Sequence, residues 1–213
     1  MRNIFILSFM HCFKIVLNLV FLILIFNSCK HTKSYVIEGS LPSGFYDGEK
    51  VYLIPMKDAN NKNVDSVYIT NSKFYFRGNF LSEEIKIIRV KHLLRQELQS
   101  LLIVIEKGQI NILLASISSA SGTKQNDLLQ QWKEKREDIN KRMGNLQNSM
   151  QGRELREQKI IKQNMQLMQA EYRDYNFEFI KKYRNTIVGQ FVYENMKNSL
   201  SPEQQKELEK LVN

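Results

Sequence analysis

The sequence predicts an α+β protein: a small antiparallel β-sandwich or open barrel, then a long antiparallel helical hairpin and two short helices. Two observations predict it. Between Tyr35 and Leu114, short runs rich in Val, Ile, Tyr and Phe alternate with turn residues, the pattern of half-buried strands. After Ser118 the apolar residues recur at steps of three and four instead, the period of helix. An apolar N-terminal segment stands apart from both regions.

The expected strands are Tyr35–Gly39, Lys50–Ile54, Asp65–Thr70, Lys73–Arg77, Ile85–Val90, Leu101–Glu106 and Gln109–Leu114. Pro42-Ser43-Gly44 and Asp47-Gly48 divide the first two. Two hairpins are expected. Asn71-Ser72 is a two-residue turn in which Asn tolerates positive φ, and Lys107-Gly108 uses Gly for the same purpose. Closely spaced short strands of this kind suit a sandwich or an open barrel.

Ser118 to Thr123 is a run of small residues that reads as a connector. Beyond it, Leu129, Trp132, Arg136, Ile139, Met143, Leu146 and Met150 form one helical stripe, broken only by Arg136. Ile161, Met165, Met168, Tyr172, Tyr175 and Phe179 form a second. Ser149–Gly152 offers a reversal between them, so the two stripes are expected to pair. One unbroken helix is the alternative, because a lone Gly costs a helix only about 1 kcal/mol. Arg136 within the stripe would be costly to bury unpaired, so either the seam is partly open there or an acid from the opposite arm answers it, Glu171 before Asp174 by register. Ile187 to Asn198 reads as a third helix. Ser201-Pro202-Glu203-Gln204 opens a fourth: Ser201 caps, Pro202 suits the first helical position and Gln204 completes a capping box.

Residues 1–28 read as a signal peptide. Started at Met10, Met10–Lys14 is a short basic region and Ile15–Phe26 a 12-residue apolar core. That length falls within the roughly 7–15 residues of a signal and short of the roughly 20 of a spanning helix. Export is expected from either Met1 or Met10. The segment ends Ile25-Phe26-Asn27-Ser28-Cys29, which resembles the lipobox of bacterial lipoproteins. The resemblance implies cleavage before Cys29, acylation of its thiol and a lipidated tether over residues 29–34. The β domain then spans 35–117 and the helical region 118–213. Asn27 is bulkier than the residue usual at that place.

Residues 29–213 retain 29 basic and 22 acidic side chains, since only Arg2 and Lys14 leave with the leader. The excess is dispersed and no nucleic-acid motif accompanies it, so nucleic acid is not an expected partner. Lys30-His31-Thr32-Lys33 carries no acidic run, which favours a periplasmic face. Cys12 leaves with the leader and Cys29 takes lipid, so no thiol pair remains for redox work. His11, His31 and His92 lie far apart in sequence, and no metal or cofactor is expected. No Gly-x-Ser-x-Gly elbow or phosphate loop is present, and no catalytic residue is assigned. Glu83-Glu84 reads as a solvated turn. Asp65 and Ser66 read as backbone-bonding residues at a strand start, with ligand contact the sharper alternative. The aromatics at 172, 175, 177, 179 and 183 read as a packing seam, and Trp132 as a core anchor at its junction with the sheet.

Several segments occur in a familiar order: Tyr35-Val36-Ile37-Glu38-Gly39, Lys50–Leu53, Val64–Val67, Ser72–Gly78 and Ser121–Asp127. Together they resemble the uncharacterised β-rich domain at the N-terminus of lipid-anchored thioredoxin-like proteins of the alkyl hydroperoxide reductase and thiol-specific antioxidant type. Phe179–Gly189 and Ser201-Pro202-Glu203 resemble the helical segment that follows in those proteins. No residue here matches their Cys-x-x-Cys, so the resemblance implies architecture and compartment without the redox activity. The expected function is a non-catalytic, membrane-anchored periplasmic module that binds a protein or a cell-envelope ligand. The alternative is an accessory or remnant of a thiol-disulfide oxidoreductase, acting beside a separate thioredoxin-like protein.

Overall fold

Eight strands form two four-stranded sheets in the computed structural model, which describes residues 34–91 and 98–212. Cys29, the leader and all three histidines lie outside the described residues. The strands are β1 (Ser34–Ser40), β2 (Lys50–Pro55), β3 (Asp65–Tyr68), β4 (Lys73–Asn79), β5 (Glu84–Val90), β6 (Leu101–Ile105), β7 (Gly108–Leu113) and β8 (Ser119–Ser121). One sheet has the order β4-β1-β7-β8 and the other β3-β2-β5-β6. The sheets do not close, so of the two expected forms the sandwich is observed. Alternate residues of both sheets, among them Ile37, Phe74, Phe76 and Ile110 facing Val51, Leu53, Ile88 and Ile103, form the core between them.

Both expected hairpins need correction. The Asn71-Ser72 turn forms with φ of 52° and 57°, and the Asp47 carboxylate accepts from both of its amides, at 2.9 and 2.8 Å. Beyond the single bridge between Thr70 and Lys73, however, the flanking strands part into different sheets. Lys107-Gly108 likewise passes the chain from β6 to the opposite sheet, with Gly108 at φ +119°. Short turns at sandwich corners can switch sheets as readily as they close ladders. Nor is the pairing wholly antiparallel: β7 lies parallel to β1, Tyr35 beside Gly108 and Ser40 beside Leu113. The small-residue connector contributes an eighth strand, in which Ala120 is buried.

β6 is apolar throughout because it is covered on both faces. Leu101, Ile103 and Ile105 enter the sandwich core, whereas Val104, with Leu102 beside it, faces the helices. A strand buried on both sides needs no polar alternation.

Four helices follow: α1 (Lys124–Ser149), α2 (Leu155–Tyr183), α3 (Ile187–Met196) and α4 (Pro202–Val212). The chain reverses between α1 and α2, where Gly152 has φ +75°, so the hairpin forms rather than one long helix. Leu129, Trp132, Phe179, Ile180, Val188, Val192 and Leu208 make a second core against Ile85 and Val104. Thr186 caps α3 by accepting from the Gly189 amide at 3.0 Å. A Cβ at Gly189 would overlap the Tyr183 carbonyl oxygen, so only glycine lets the α2–α3 corner close this tightly. The capping box of α4 has both halves: Ser201 Oγ accepts from the Gln204 amide at 3.2 Å, and Gln204 Oε1 accepts from the Ser201 amide at 3.0 Å.

Candidate functional site

The feature that organises the molecule is a buried clamp at the start of α1. Glu106, at the end of β6, accepts from the amides of Gln125 and Asn126 at 2.7 and 3.1 Å. A carboxylate here satisfies free amides at a helix N-terminus and meets the positive end of the helix dipole. Asn126 reaches back to β6, an edge strand. Its Oδ1 accepts from the Val104 amide at 2.9 Å, and its Nδ2 donates to the Val104 carbonyl at 2.7 Å and to Thr123 Oγ1 at 2.8 Å. The side chain thus pairs with the strand as a neighbouring backbone would, and blunts an edge that would otherwise recruit another strand.

One and a half turns further on, Trp132 is buried and donates from Nε1 to Asn176 Oδ1 of α2 at 2.8 Å. This is the junction anchor expected from the sequence. Of the two expectations for Arg136, the open seam is observed and the acidic partner is not. Lys135 takes Glu171, at 2.8 Å, while the Arg136 guanidinium lies 5.1 Å from the Trp132 ring centroid. The helices are offset by a few residues from the symmetric register, and Arg136 is exposed, so stacking serves it without an acid. The Glu171 carboxyl is held below its ordinary pKa by the hydrogen bond and charge of Lys135. The aromatics of α2 form a packed ladder, Tyr172 on Tyr175, Tyr175 on Phe179 and Phe179 on Tyr183, in keeping with a seam.

The parallel β1 and β7 define the two ends of the sandwich. Ser34, the first residue of β1, and Gly108, the first of β7, lie at one end, here termed the tether end. The clamp sits there too, since Glu106 precedes β7 by two residues. At the far end, Gln99 before β6 and Ile117-Ser118 after β7 share a recess of about 280 Å³ with Gln130, Lys133 and Lys141 of α1. Helix α1 therefore runs from the tether end to the far end. Arg142–Ser149 continue past the sandwich by about 12 Å, at 1.5 Å per residue. Within this recess Lys133 bonds to Gln130 Oε1 at 3.1 Å. Burial, reinforced by the Arg136 charge, lowers its pKa to about 8.

The projecting arm is basic and only half covered. Residues 139–170 hold Lys141, Arg142, Arg153, Arg156, Lys159 and Lys162 against Glu154 and Glu157. Arg142 pairs with Asp138 and Arg153 with Glu157. Among the described residues Lys141, Arg156, Lys159 and Lys162 make no ion pair. Leu155, Ile160 and Leu167 expose their side chains.

These features fall on both sides of a family boundary. Residues 35–129 match the model of a domain of unknown function, DUF4369. The match covers just under half of the chain. The matched span takes in all of the strands from Tyr35 onward and the first turns of α1, so the Glu106–Asn126 clamp lies inside DUF4369 and Trp132, the arm and α2–α4 lie after it. A search of curated proteins finds no match to the chain.

The remaining sequence candidates are dispersed. Asp65 is exposed at the start of β3, with its Oδ1 accepting from the Ser66 amide at 2.7 Å, as the backbone reading expects. Glu84 pairs with Lys86 at 3.3 Å. Among the described residues no three His, Cys, Asp or Glu side chains gather as metal ligands would. Sequence reasoning missed the clamp, although Ser121–Asp127 was part of the family resemblance. The available signal was an Asn-Asp pair opening a helix after Gly122-Thr123, together with a lone Glu ending an apolar strand.

Proposed function

We propose that this chain is a non-catalytic lipoprotein, anchored by acylated Cys29 to a bacterial membrane on its periplasmic side, which holds out a helical arm to bind a partner. One observation carries the reading. The arm leaves the sandwich at the end opposite Ser34, where the tether enters, and it presents Leu155, Ile160 and Leu167 among unpaired basic residues. Ile160 and Leu167, seven residues apart, share one face of α2, and an exposed apolar face rimmed by charge on an extended element suits a docking helix. An excess of four positive charges over residues 139–170 favours an acidic partner. A protein or envelope ligand fits this description; nucleic acid does not belong to that compartment.

The resemblance to the N-terminal domain of lipid-anchored thioredoxin-like proteins supports a second reading, in which the partner is a separately encoded thioredoxin-like protein. One experiment tests both. A photocrosslinking residue at position 160 or 167, in the native cell, is expected to form a discrete adduct, and one at Tyr68 on the sandwich is not. Identification of a thioredoxin fold in the adduct would establish the second reading. Identical patterns at arm and sandwich positions would overturn the docking arm.

A further inference from the structure

The tether end of the sandwich carries an apolar residue with no covering of its own. The β4–β5 loop begins at Phe80, and Leu81 in it is 93% exposed, beyond even the arm-tip leucine Leu155 at 84%. Its position is set by register. Ser34 pairs with Asn79, so Leu81 lies two residues past the strand partner of the residue at which the tether joins the fold. Met56, also partly exposed, stands nearby: its amide donates to the Ile85 carbonyl at 3.3 Å, where β5 leaves the same loop.

We propose that the Phe80–Glu83 loop is a membrane-surface contact, with Leu81 entering the boundary between headgroups and acyl chains. The inference rests on acylation of Cys29. Given that acylation, five Cα-to-Cα steps separate the lipid from Ser34, at most about 18 Å when fully extended. The seven residues of β1 span a further 20 Å or so. The tether end is therefore held within about 18 Å of the acylated residue, whereas the far end can lie a further 20 Å or so away. A large, open aliphatic side chain in a short loop within that reach is favoured to enter the interface, and burial of one adds to lipid anchoring. The loop ends in Glu83, with Glu84 opening β5 beside it, so at the point of contact the surface it fits is zwitterionic rather than strongly anionic.

Two labelled proteins test this. Acylated Cys29 leaves an introduced cysteine as the sole thiol, so Leu81→Cys and Phe45→Cys in the mature lipoprotein each accept one environment-sensitive fluorophore. Phe45 is an open control, 75% exposed on the loop leading from β1 to β2 at the far end. Both are reconstituted into phosphatidylcholine vesicles containing brominated lipid. Label at position 81 is expected to shift to the blue and to be quenched at least about twofold more than label at position 45, as insertion some 5–10 Å into the interface requires. Equal, weak quenching at both sites in protein that floats with the vesicles would overturn the loop contact and leave the anchor intact. Protein that carries no acyl chain by mass and fails to float would overturn both. In anionic phosphatidylglycerol vesicles the difference between the two sites should shrink; quenching at 81 that rises there instead would refute the assignment to a zwitterionic surface.

Discussion

The two halves of the helical hairpin draw on one apolar series and bury it differently. Near the sandwich, Leu129, Trp132 and Ile139 are buried, and beyond it Met143, Leu146 and Met150 are only half covered. Along α2, Phe179 and Ile180 are buried, whereas Ile160 and Leu167 are exposed. The proximal half is pressed between a sheet and two further helices, so a wide apolar face finds partners. The distal half has one neighbour. A pair of helices covers the seam between them and leaves the flanks open. The same periodicity therefore specifies a core in one place and an arm in the other, and third-layer contacts make the difference. Segments with few buried contacts open locally at low cost, so the arm is the part of the fold free to adapt to a partner.

The largest expected effect lies in the proximal half. Trp132→Ala removes a buried indole and leaves Asn176 Oδ1 without its donor. It should cost about 3–5 kcal/mol in denaturant unfolding, the range for large core truncations. A loss below about 1 kcal/mol would mean that sheet and hairpin are held together elsewhere.

Next comes the clamp. Asn126→Ala leaves the Val104 amide and carbonyl unanswered at a buried strand edge. The expected cost is about 2–3 kcal/mol, since each orphaned buried group costs about 1–3 kcal/mol. Hydrogen exchange at Val104 reports it directly. Protection unchanged in the variant would show that β6 does not rely on Asn126.

How far the sequence reveals this arrangement follows from the range of each interaction. Strand positions, the Asn71-Ser72 turn, the helical reversal and the α4 capping box are local, and their residues carry the signal. Which sheet a strand joins is not local. Val67 and Phe74 face one core from opposite sheets, and nothing in the intervening turn distinguishes a corner from a hairpin. The partner of Arg136 depends on a register offset of a few residues, which side-chain packing decides. The clamp joins residues some 20 positions apart, across a change of sheet and of secondary structure. Its parts are legible singly and their meeting is not.

Lys133 sharpens the comparison by pH. It lies at the boundary between body and arm, and its pKa is lowered to about 8 from 10.5, first by burial and then by Arg136. The charged form is thus less favoured in the folded state than in the unfolded chain. Below about pH 8 both states hold the proton and the fold bears the full penalty. Between there and about 10.5 the unfolded chain binds more protons, so stability rises with pH; above that it levels off. Lys133→Met should stabilise at pH 7 by about 1 kcal/mol, a figure discounted for partial solvent contact, and the advantage should fade as pH approaches 10. Parallel denaturation curves at pH 7 and pH 10, with the same gap between variant and wild type, would contradict this.

The smallest effect on folding carries the most functional weight. Leu167 and Met168 are neighbours on α2, at 69% and 9% exposure, so one faces solvent and the other lies on the inward stripe of the arm. Leu167→Ser should alter stability by no more than about 0.5 kcal/mol, as surface substitutions do. Met168→Ser places a hydroxyl in the seam and should raise hydrogen exchange across residues 139–170 with little change near Trp132. If the exposed stripe exists to meet a partner, Leu167→Ser must abolish crosslinking from position 160 while leaving exchange across the arm as in the wild type. Should the adduct survive that substitution undiminished, the exposed leucine has no part in docking, and the arm's basic residues become the side chains to replace next.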